Sequence, residues 1–343
     1  MLNPQISRRE FLKLVSTSSL AFALRDLRIG RVLEVTPPTQ GRITWSGVPL
    51  YDAPFFTASQ IHHFGADKVV EILGVEENGE PGYGNPHNTL WYKIDNGYAF
   101  SGGIQPVETR YQKPVFTLPE KGQLGEITVP FCDTKKEPFT YAERGYRIYY
   151  GSTHWVKRVI VQRDEKSIWY EIYDAHLKRS YYVPSHDMRL VSNDDLNTLS
   201  PEVPDDQKRI VVDLTTQLIT AFEGENLVFS QRCASGVRGT DTPKGEFHTY
   251  HKGPSVHMTN EGDAVEEDGV YSLPGVPWCS FFTGSGHAFH GAYWHNHYGQ
   301  PRSHGCVNLP SEAVKFLYRW TKPNVPADTE YVNLPGEGTL VQI

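Results

Sequence analysis

The residues best suited to catalysis are Cys306 and His290, which lie on separate segments near the carboxyl end of the chain. Cys306 directly follows a glycine in the run 303–309 (SHGCVNL), and His290 lies in the apolar run 289–291 (FHG). The thiolate is the reactive form of cysteine, and a free thiol is only slightly ionised at neutral pH. An imidazole that the fold brings beside it can take its proton. The pattern therefore predicts a Cys nucleophile with a His general base.

The residues around Cys306 predict further parts of a catalytic site. Gly305 permits a sharp turn that aims successive backbone N–H groups inward, and those of His304, Gly305 and Cys306 are candidates for an oxyanion hole. His304 is two residues from Cys306, so on a strand it would point to the same face and is chemically an alternative base. The residues alone leave the choice between His290 and His304 open.

The run 303–309, together with His290, resembles the signature of the YkuD-type L,D-transpeptidase catalytic domain, a family that crosslinks or remodels bacterial peptidoglycan. Three strand-like segments after residue 208, a Ser235-Gly236 step and the run 242–247 (TPKGEF) resemble the same family. The resemblance therefore covers about 207–343, and we expect a β-rich catalytic domain with one short helix, at 311–320, after the nucleophile.

For this chain, the resemblance implies that Cys306 is the nucleophile and His290 the general base and acid. It also implies that the backbone carbonyl of Gly291 orients His290, and that His304 has a supporting hydrogen-bonding role. The implied substrate is a peptidoglycan stem peptide, which forms an acyl-enzyme and passes to an amine to give a 3→3 crosslink. Attachment of a protein, or hydrolysis of the stem if water is the acceptor, stays open. Acylation of Cys306 by carbapenems is a further expectation.

Four residues near the predicted site are candidates for substrate binding. Asn308 suits a carboxylate or amide, although it is alternatively a helix cap, and Arg302 suits an acidic stem, although it is alternatively a surface charge. Trp278 lies in the long stretch 252–284, which we expect to be either a lid over the cleft or a plain surface loop. Tyr293 completes the set. No HExxH or paired Cys-His spacing occurs, so we expect no metal and no cofactor.

Length, composition and repeats predict several β-rich domains. The chain has 343 residues, with 30 Gly, 24 Pro and short apolar runs broken by turns. A Trp-Tyr-x-Ile run followed by an aromatic closing strand occurs at 91–94 and again at 169–172, which indicates a repeated module. The repeat resembles bacterial SH3-like barrels, which implies a binding role; alternatively these aromatics are simply the cores of two small β-barrels. The predicted domains are an export signal at 1–27, SH3-like modules at 28–107 and 108–191, a linker at 192–206 and a catalytic domain at 207–343.

The first 27 residues predict export. The run 7–13 (SRREFLK), followed by a short apolar stretch, resembles the twin-arginine signal, and cleavage after Ala23 is expected. The alternative is an amphipathic helix with a chance Arg pair. Export predicts a location outside the cytoplasm, in the wall or periplasm, with membrane attachment only through an uncleaved signal. The net charge of −7 argues against nucleic-acid binding.

Two other classes of protein fit parts of the pattern, and the oligomeric state stays open. A papain-like or NlpC-type cysteine endopeptidase also pairs Cys with His after SH3-like modules, but in those families the Cys precedes the His. A catalytically inactive wall-binding protein is the second alternative. A disulfide among Cys132, Cys233 and Cys279 is possible outside the cytoplasm.

Overall fold

The structure is a computed structural model that describes residues 37–163, 166–260 and 271–343. The predicted export signal lies outside the described residues. The described chain is mainly β, and its one α-helix follows the predicted nucleophile, so the expected fold class is confirmed. Among the described residues, no helix is both long and apolar enough to cross a bilayer.

The first module consists of two antiparallel sheets with the strand orders β4-β1-β8 and β3-β2-β7-β6-β5. The predicted turn after Ile94 forms a tight hairpin, in which Ile94 pairs with Gly97 and Asp95 has a positive φ of 50°. Trp91, Tyr92 and Ile94 are all buried, as expected for core residues of the repeat. The strands are β1 (Gln40–Ile43), β2 (Val48–Tyr51), β3 (Gln60–Phe64), β4 (Val69–Glu71), β5 (Gly74–Glu76), β6 (Trp91–Ile94), β7 (Gly97–Phe100) and β8 (Ile104–Val107).

The second module is a seven-stranded antiparallel sheet with the order β11-β10-β14-β13-β12-β9-β15. Trp169, Tyr170 and Ile172 are buried in it, so the second copy of the repeat again supplies core residues. The SH3-like identity of the two modules stays a prediction. The strands are β9 (Gln123–Ile127), β10 (Phe131–Lys135), β11 (Arg144–Tyr149), β12 (Thr153–Gln162), β13 (Ser167–Asp174), β14 (Arg179–Pro184) and β15 (Met188–Leu190).

The third domain packs helix α1 and two five-stranded sheets around one apolar core. The sheet orders are β18-β17-β16-β25-β19 and β23-β22-β21-β20-β24. Leu124, Trp155 and Val191 of the second module belong to this same core, so the two domains share a continuous apolar interior. The elements are β16 (Lys208–Asp213), β17 (Leu218–Glu223), β18 (Asn226–Arg232), β19 (Glu246–His248), β20 (His251–Thr259), β21 (Ser272–Phe281), β22 (Ala288–Gly291), β23 (Val307–Leu309), α1 (Ser311–Trp320), β24 (Val332–Asn333) and β25 (Leu340–Gln342).

The stretch 252–284, expected to be an irregular lid or loop, forms much of the antiparallel hairpin β20–β21, and its residues 261–270 lie outside the described residues. Trp278 is fully buried in the third-domain core, where its ring packs on Tyr318 with 5.5 Å between centroids. The structure therefore contradicts the substrate-binding prediction for Trp278. The reason is that a large apolar ring gains more free energy in a domain core than over an open cleft.

Candidate functional site

The predicted base lies on one of two neighbouring parallel strands, and the predicted nucleophile directly precedes the other. Strand β22 pairs with β23, so that Phe289 faces Val307 and His290 faces Asn308. Cys306 immediately precedes β23, and a parallel pair of this kind needs a long connection between its strands. The spacing between His290 and Cys306 supplies that connection, which is why segments distant in sequence meet at one sheet edge.

His290 is held in one tautomer by its own neighbour. Its side chain is buried, and Nδ1 lies 3.0 Å from the carbonyl oxygen of Gly291. A carbonyl can only accept, so Nδ1 carries the hydrogen and Nε2 of the neutral ring keeps a free lone pair. Burial lowers the pKa of His290 to about 4, against a smaller opposing effect of the Gly291 carbonyl. His290 is thus a neutral imidazole that can accept a proton at Nε2.

Cys306 is partly exposed, and its thiol points to the carbonyl oxygen of Gly286 at 3.7 Å. Desolvation by the surrounding groups raises the pKa of Cys306 to about 11, although the backbone N–H of Ala288 favours the thiolate. With these pKa values the resting pair is a neutral thiol and a neutral imidazole. This arrangement suits general-base catalysis, in which the thiol proton leaves as the sulfur attacks.

The turn before Cys306 is closed by Ser303. Its Oγ donates to the carbonyl oxygen of Cys306 at 2.5 Å and accepts the N–H of Gly305 at 3.1 Å. Gly305 has a φ of 108°, which favours glycine. Because the N–H of Gly305 has a protein partner here, the oxyanion role assigned to it, together with those of Cys306 and His304, stays a prediction.

A second loop supports this turn from the other side. Thr242 is buried, and its Oγ1 donates to the carbonyl oxygen of Gly305 at 2.8 Å while accepting the N–H of Gly236 at 2.9 Å. The carbonyl oxygen of Ser235 accepts the N–H groups of Arg302 and Ser303 at 2.7 and 3.0 Å. The sequence marked these positions only as family motifs. A buried hydroxyl between two loops is recognisable only after the loops meet in space.

Asn308 faces away from solvent and contacts a residue whose role the sequence analysis missed. Its side-chain amide lies 3.0 Å from Nε2 of His295, and both residues are buried. Its backbone exchanges two hydrogen bonds with Ala234, at 2.9 and 3.0 Å. No role is assigned to His295 in the sequence analysis. A histidine followed two residues later by a second His carries no sequence signal for an amide partner.

The other predicted site residues have different surroundings. Arg302 is exposed, and its guanidinium lies 5.7 Å from the ring centroid of Trp45. His304 is exposed and stacks on Tyr271 with 5.6 Å between centroids. Tyr293 is buried, and its hydroxyl donates to the carbonyl oxygen of Pro274 at 2.9 Å. The structure contradicts the substrate-binding prediction for Tyr293, since its ring and its hydroxyl are both occupied inside the protein.

The loop 292–302, which joins His290 to the 303–309 run, is packed against the first module. His297 stacks on Trp45 with 5.0 Å between ring centroids, and the backbone N–H of Asn296 donates to the carbonyl oxygen of Gly102 at 3.1 Å. The side chain of Asn85 donates to the carbonyl oxygen of Tyr298 at 3.1 Å. The first module therefore supports one wall of the candidate site.

Among the described residues, the cysteines form no disulfide and no cluster of side chains is arranged as a metal site. All four cysteines are free thiols, so the possible disulfide among Cys132, Cys233 and Cys279 does not form. Within residues 37–163, 166–260 and 271–343, no group of three or more His, Cys, Asp or Glu side chains is arranged to hold a metal ion.

A family model and several solved structures are similar to the chain. Residues 207–343 match the model of the L,D-transpeptidase catalytic domain, YkuD. No curated protein matches the chain. The C442S mutant of Enterococcus faecium L,D-transpeptidase has 23% sequence identity and a TM-score of 0.31; the match covers 39% of this chain and 49%, about half, of that one.

Two mycobacterial structures are also similar. The L,D-transpeptidase from Mycobacterium smegmatis has 17% identity and a TM-score of 0.33, with 54% of this chain and 82% of that chain covered. L,D-transpeptidase 3 from Mycobacterium tuberculosis, solved with a faropenem-derived adduct, has 18% identity and a TM-score of 0.32, with 48% and 74% covered. By the family match, the resemblance seen in the motifs is confirmed for one part of the chain: residues 207–343 are an L,D-transpeptidase-type catalytic domain.

Proposed function

We propose that the protein is a peptidoglycan L,D-transpeptidase with Cys306 as its nucleophile. The observation that carries the proposal is the β22–β23 pairing, which places His290 on the strand next to the one that Cys306 immediately precedes, with Nδ1 held by the Gly291 carbonyl. A base held in one tautomer by a third group is the arrangement that activates a nucleophile. The family match of residues 207–343 supports the same reaction class.

In the proposed reaction, the Cys306 sulfur attacks the carbonyl carbon of the third residue of a tetrapeptide stem. His290 Nε2 takes the thiol proton and gives it to the leaving amine, so the bond to the terminal D-alanine breaks and a thioester remains. The amine of a neighbouring stem then attacks the thioester, its proton passes to His290, and Cys306 is released as a thiol. The new amide bond is a 3→3 crosslink.

The location of this substrate supports export of the protein. Peptidoglycan lies outside the cytoplasmic membrane, and the 7–13 run resembles a twin-arginine signal. We therefore include in the proposal that the protein works in the wall or periplasm and arrives there by the twin-arginine route. The two N-terminal modules would position the catalytic domain on its polymeric substrate.

Intact-protein mass spectrometry after incubation with the carbapenem imipenem tests the nucleophile. Wild type should gain the mass of one inhibitor, and Cys306→Ala should gain none. Release of D-alanine from a tetrapeptide stem, measured on the same two proteins, tests the natural reaction. An adduct or full D-alanine release with Cys306→Ala would remove Cys306 from the mechanism. Equal losses in His304→Ala and His290→Ala would return His304 to consideration as the base.

A further inference from the structure

The hydrogen bonds of His295 fix its tautomer. The backbone N–H of His297 donates to Nδ1 of His295 at 3.1 Å, so Nδ1 has no hydrogen. Burial lowers the pKa of His295 to about 3, and the nearby charges of His297 and Arg302 act in the same direction. The ring is therefore neutral, and its single hydrogen is on Nε2.

This tautomer determines which way the Asn308 amide faces. Nε2–H of His295 is a donor, so the amide atom 3.0 Å away must be the oxygen for a hydrogen bond to form. The other end of the amide is buried, and its polar atom has no hydrogen-bond partner in the described protein. Because the Asn308 amide oxygen accepts the hydrogen bond from His295, the unpartnered end is the NH₂ group, which is a donor. An unpaired buried donor is costly unless a ligand uses it.

Asn308 lies where such a donor can meet a substrate. It pairs with His290 across two parallel strands, and directly paired residues point to the same face of a sheet. Cys306 is two positions earlier on the segment that leads into β23, and the ring of Trp294 lies 5.7 Å from His290 and 6.1 Å from His295. The Asn308 side chain therefore lies on the same face of the sheet as His290.

We propose that His295 is a positioning residue: it holds the Asn308 oxygen so that the Asn308 NH₂ donates to an acyl-donor oxygen, a peptide carbonyl or a carboxylate. The inference rests on the proposed function, since it assigns the substrate contact within that site. The first module contributes through the loop 292–302. Its contacts with Asn296 and His297 hold the two residues that follow His295, and His297 is the residue whose N–H donates to His295.

Two substitutions of His295 separate its two hydrogen bonds. His295→Asn keeps an acceptor near the Nδ1 position and loses the donor toward Asn308, whereas His295→Gln keeps a donor near the Nε2 position. We expect His295→Asn to slow imipenem acylation of Cys306 by about tenfold, and His295→Gln to retain most of the wild-type rate. Asn308→Asp keeps the acceptor for His295 but replaces the free donor with an acceptor, and should slow acylation at least as much.

Stopped-flow acylation at several imipenem concentrations separates binding from the chemical step, and iodoacetamide alkylation of Cys306 reports on the thiol itself. The expected result is slower acylation with unchanged alkylation in His295→Asn and Asn308→Asp, and no change in the matched control His248→Asn, an exposed histidine of the same domain. Equal rates for His295→Asn and His295→Gln, or wild-type acylation in Asn308→Asp, would overturn the inference. If His295→Asn does not fold, Asn308→Asp and His295→Gln still decide it. No adduct on wild type would instead remove the proposed function.

Discussion

The indole of Trp45 stacks on the imidazole of His297, with 5.0 Å between ring centroids and 12° between planes. Trp45 belongs to the first module, and His297 lies on the loop between His290 and Cys306. A second bridge joins the same parts, because the buried guanidinium of Arg42 donates to the carbonyl oxygen of Tyr293. The first module is therefore a structural part of the candidate site's surroundings as well as a candidate wall-binding unit.

Replacing Trp45 with Ala should weaken this contact between module and loop. Loss of the stacked pair should reduce the free energy of unfolding by about 1 kcal/mol, and imipenem acylation of Cys306 should slow because the loop beside His295 loses a support. Thermal unfolding and acylation kinetics measure the two effects. Tyr83→Ala is the matched control, since Tyr83 is an aromatic residue of the same module that is 94% exposed. Equal behaviour of the two variants would show that the stack does not support the site.

The pH dependence of the reaction should reflect a buried, neutral pair. The pKa of His290 is lowered to about 4, so the imidazole is unprotonated at any pH well above 4. Activity should therefore fall only as the pH drops toward 4. The pKa of Cys306 is raised to about 11, so alkylation by iodoacetamide should keep rising up to that pH. Peptide mapping of the alkylated protein isolates Cys306 from the other thiols. An alkylation rate that is already constant by pH 8 would indicate a thiolate–imidazolium pair instead.

Gly305→Ala should damage the site by steric contact. A Cβ at Gly305 would lie 2.5 Å from Cδ2 and 2.6 Å from Nε2 of His287, so His287 or the turn must move. We expect acylation of Cys306 to fall by about 100-fold, because a shift of the turn misplaces the adjoining sulfur. Gly239→Ala is the control, because Gly239 has a similar φ of 98° and open space around it. A comparable loss of acylation in both variants would assign the effect to backbone strain alone.

Asp174 should make the docking of the β20–β21 hairpin sensitive to acid. Its Oδ2 lies 2.7 Å from Nδ1 of His257 on β20, and Nε2 of the same ring lies 2.7 Å from Oγ of Ser272 on β21. Burial raises the pKa of Asp174, but hydrogen bonds from His257, the Leu177 N–H and Tyr146 outweigh it, and the net shift is downward. The contribution to stability is therefore present above the unfolded pKa of about 3.9 and is lost as pH falls through the lower folded value.

Thermal unfolding of Asp174→Asn against wild type at a series of pH values checks this dependence. The variant should be less stable by roughly 2 kcal/mol at pH 7, and the difference should shrink below about pH 4. Asp328→Asn is the control, since Asp328 pairs with Lys121 at the surface and should have little effect. A stability difference that is constant from pH 7 to pH 2 would contradict the assigned role of the carboxylate.

Local patterns were sufficient to predict much of the catalytic domain. The three strand-like segments, at 209–214, 217–222 and 227–233, correspond to β16, β17 and β18, and the predicted helix at 311–320 is α1. These predictions succeed because strand and helix periodicity is a property of neighbouring residues. Prediction failed for Trp278 and Tyr293, because an aromatic residue near a motif has the same local pattern in a core and in a cleft.

Residue types and short spacings were enough to predict the mainly β class and the catalytic-domain family of residues 207–343. Which groups share a hydrogen bond is known only from the folded chain. Interatomic distances show three such contacts. They join the Gly291 carbonyl to His290, Thr242 to Gly236 and Gly305, and His295 to Asn308. The packing of the loop 292–302 on the first module is likewise visible only in the structure. These relationships join residues from different strands and domains, and the energy of a contact depends on separation in space, which residue order alone does not specify.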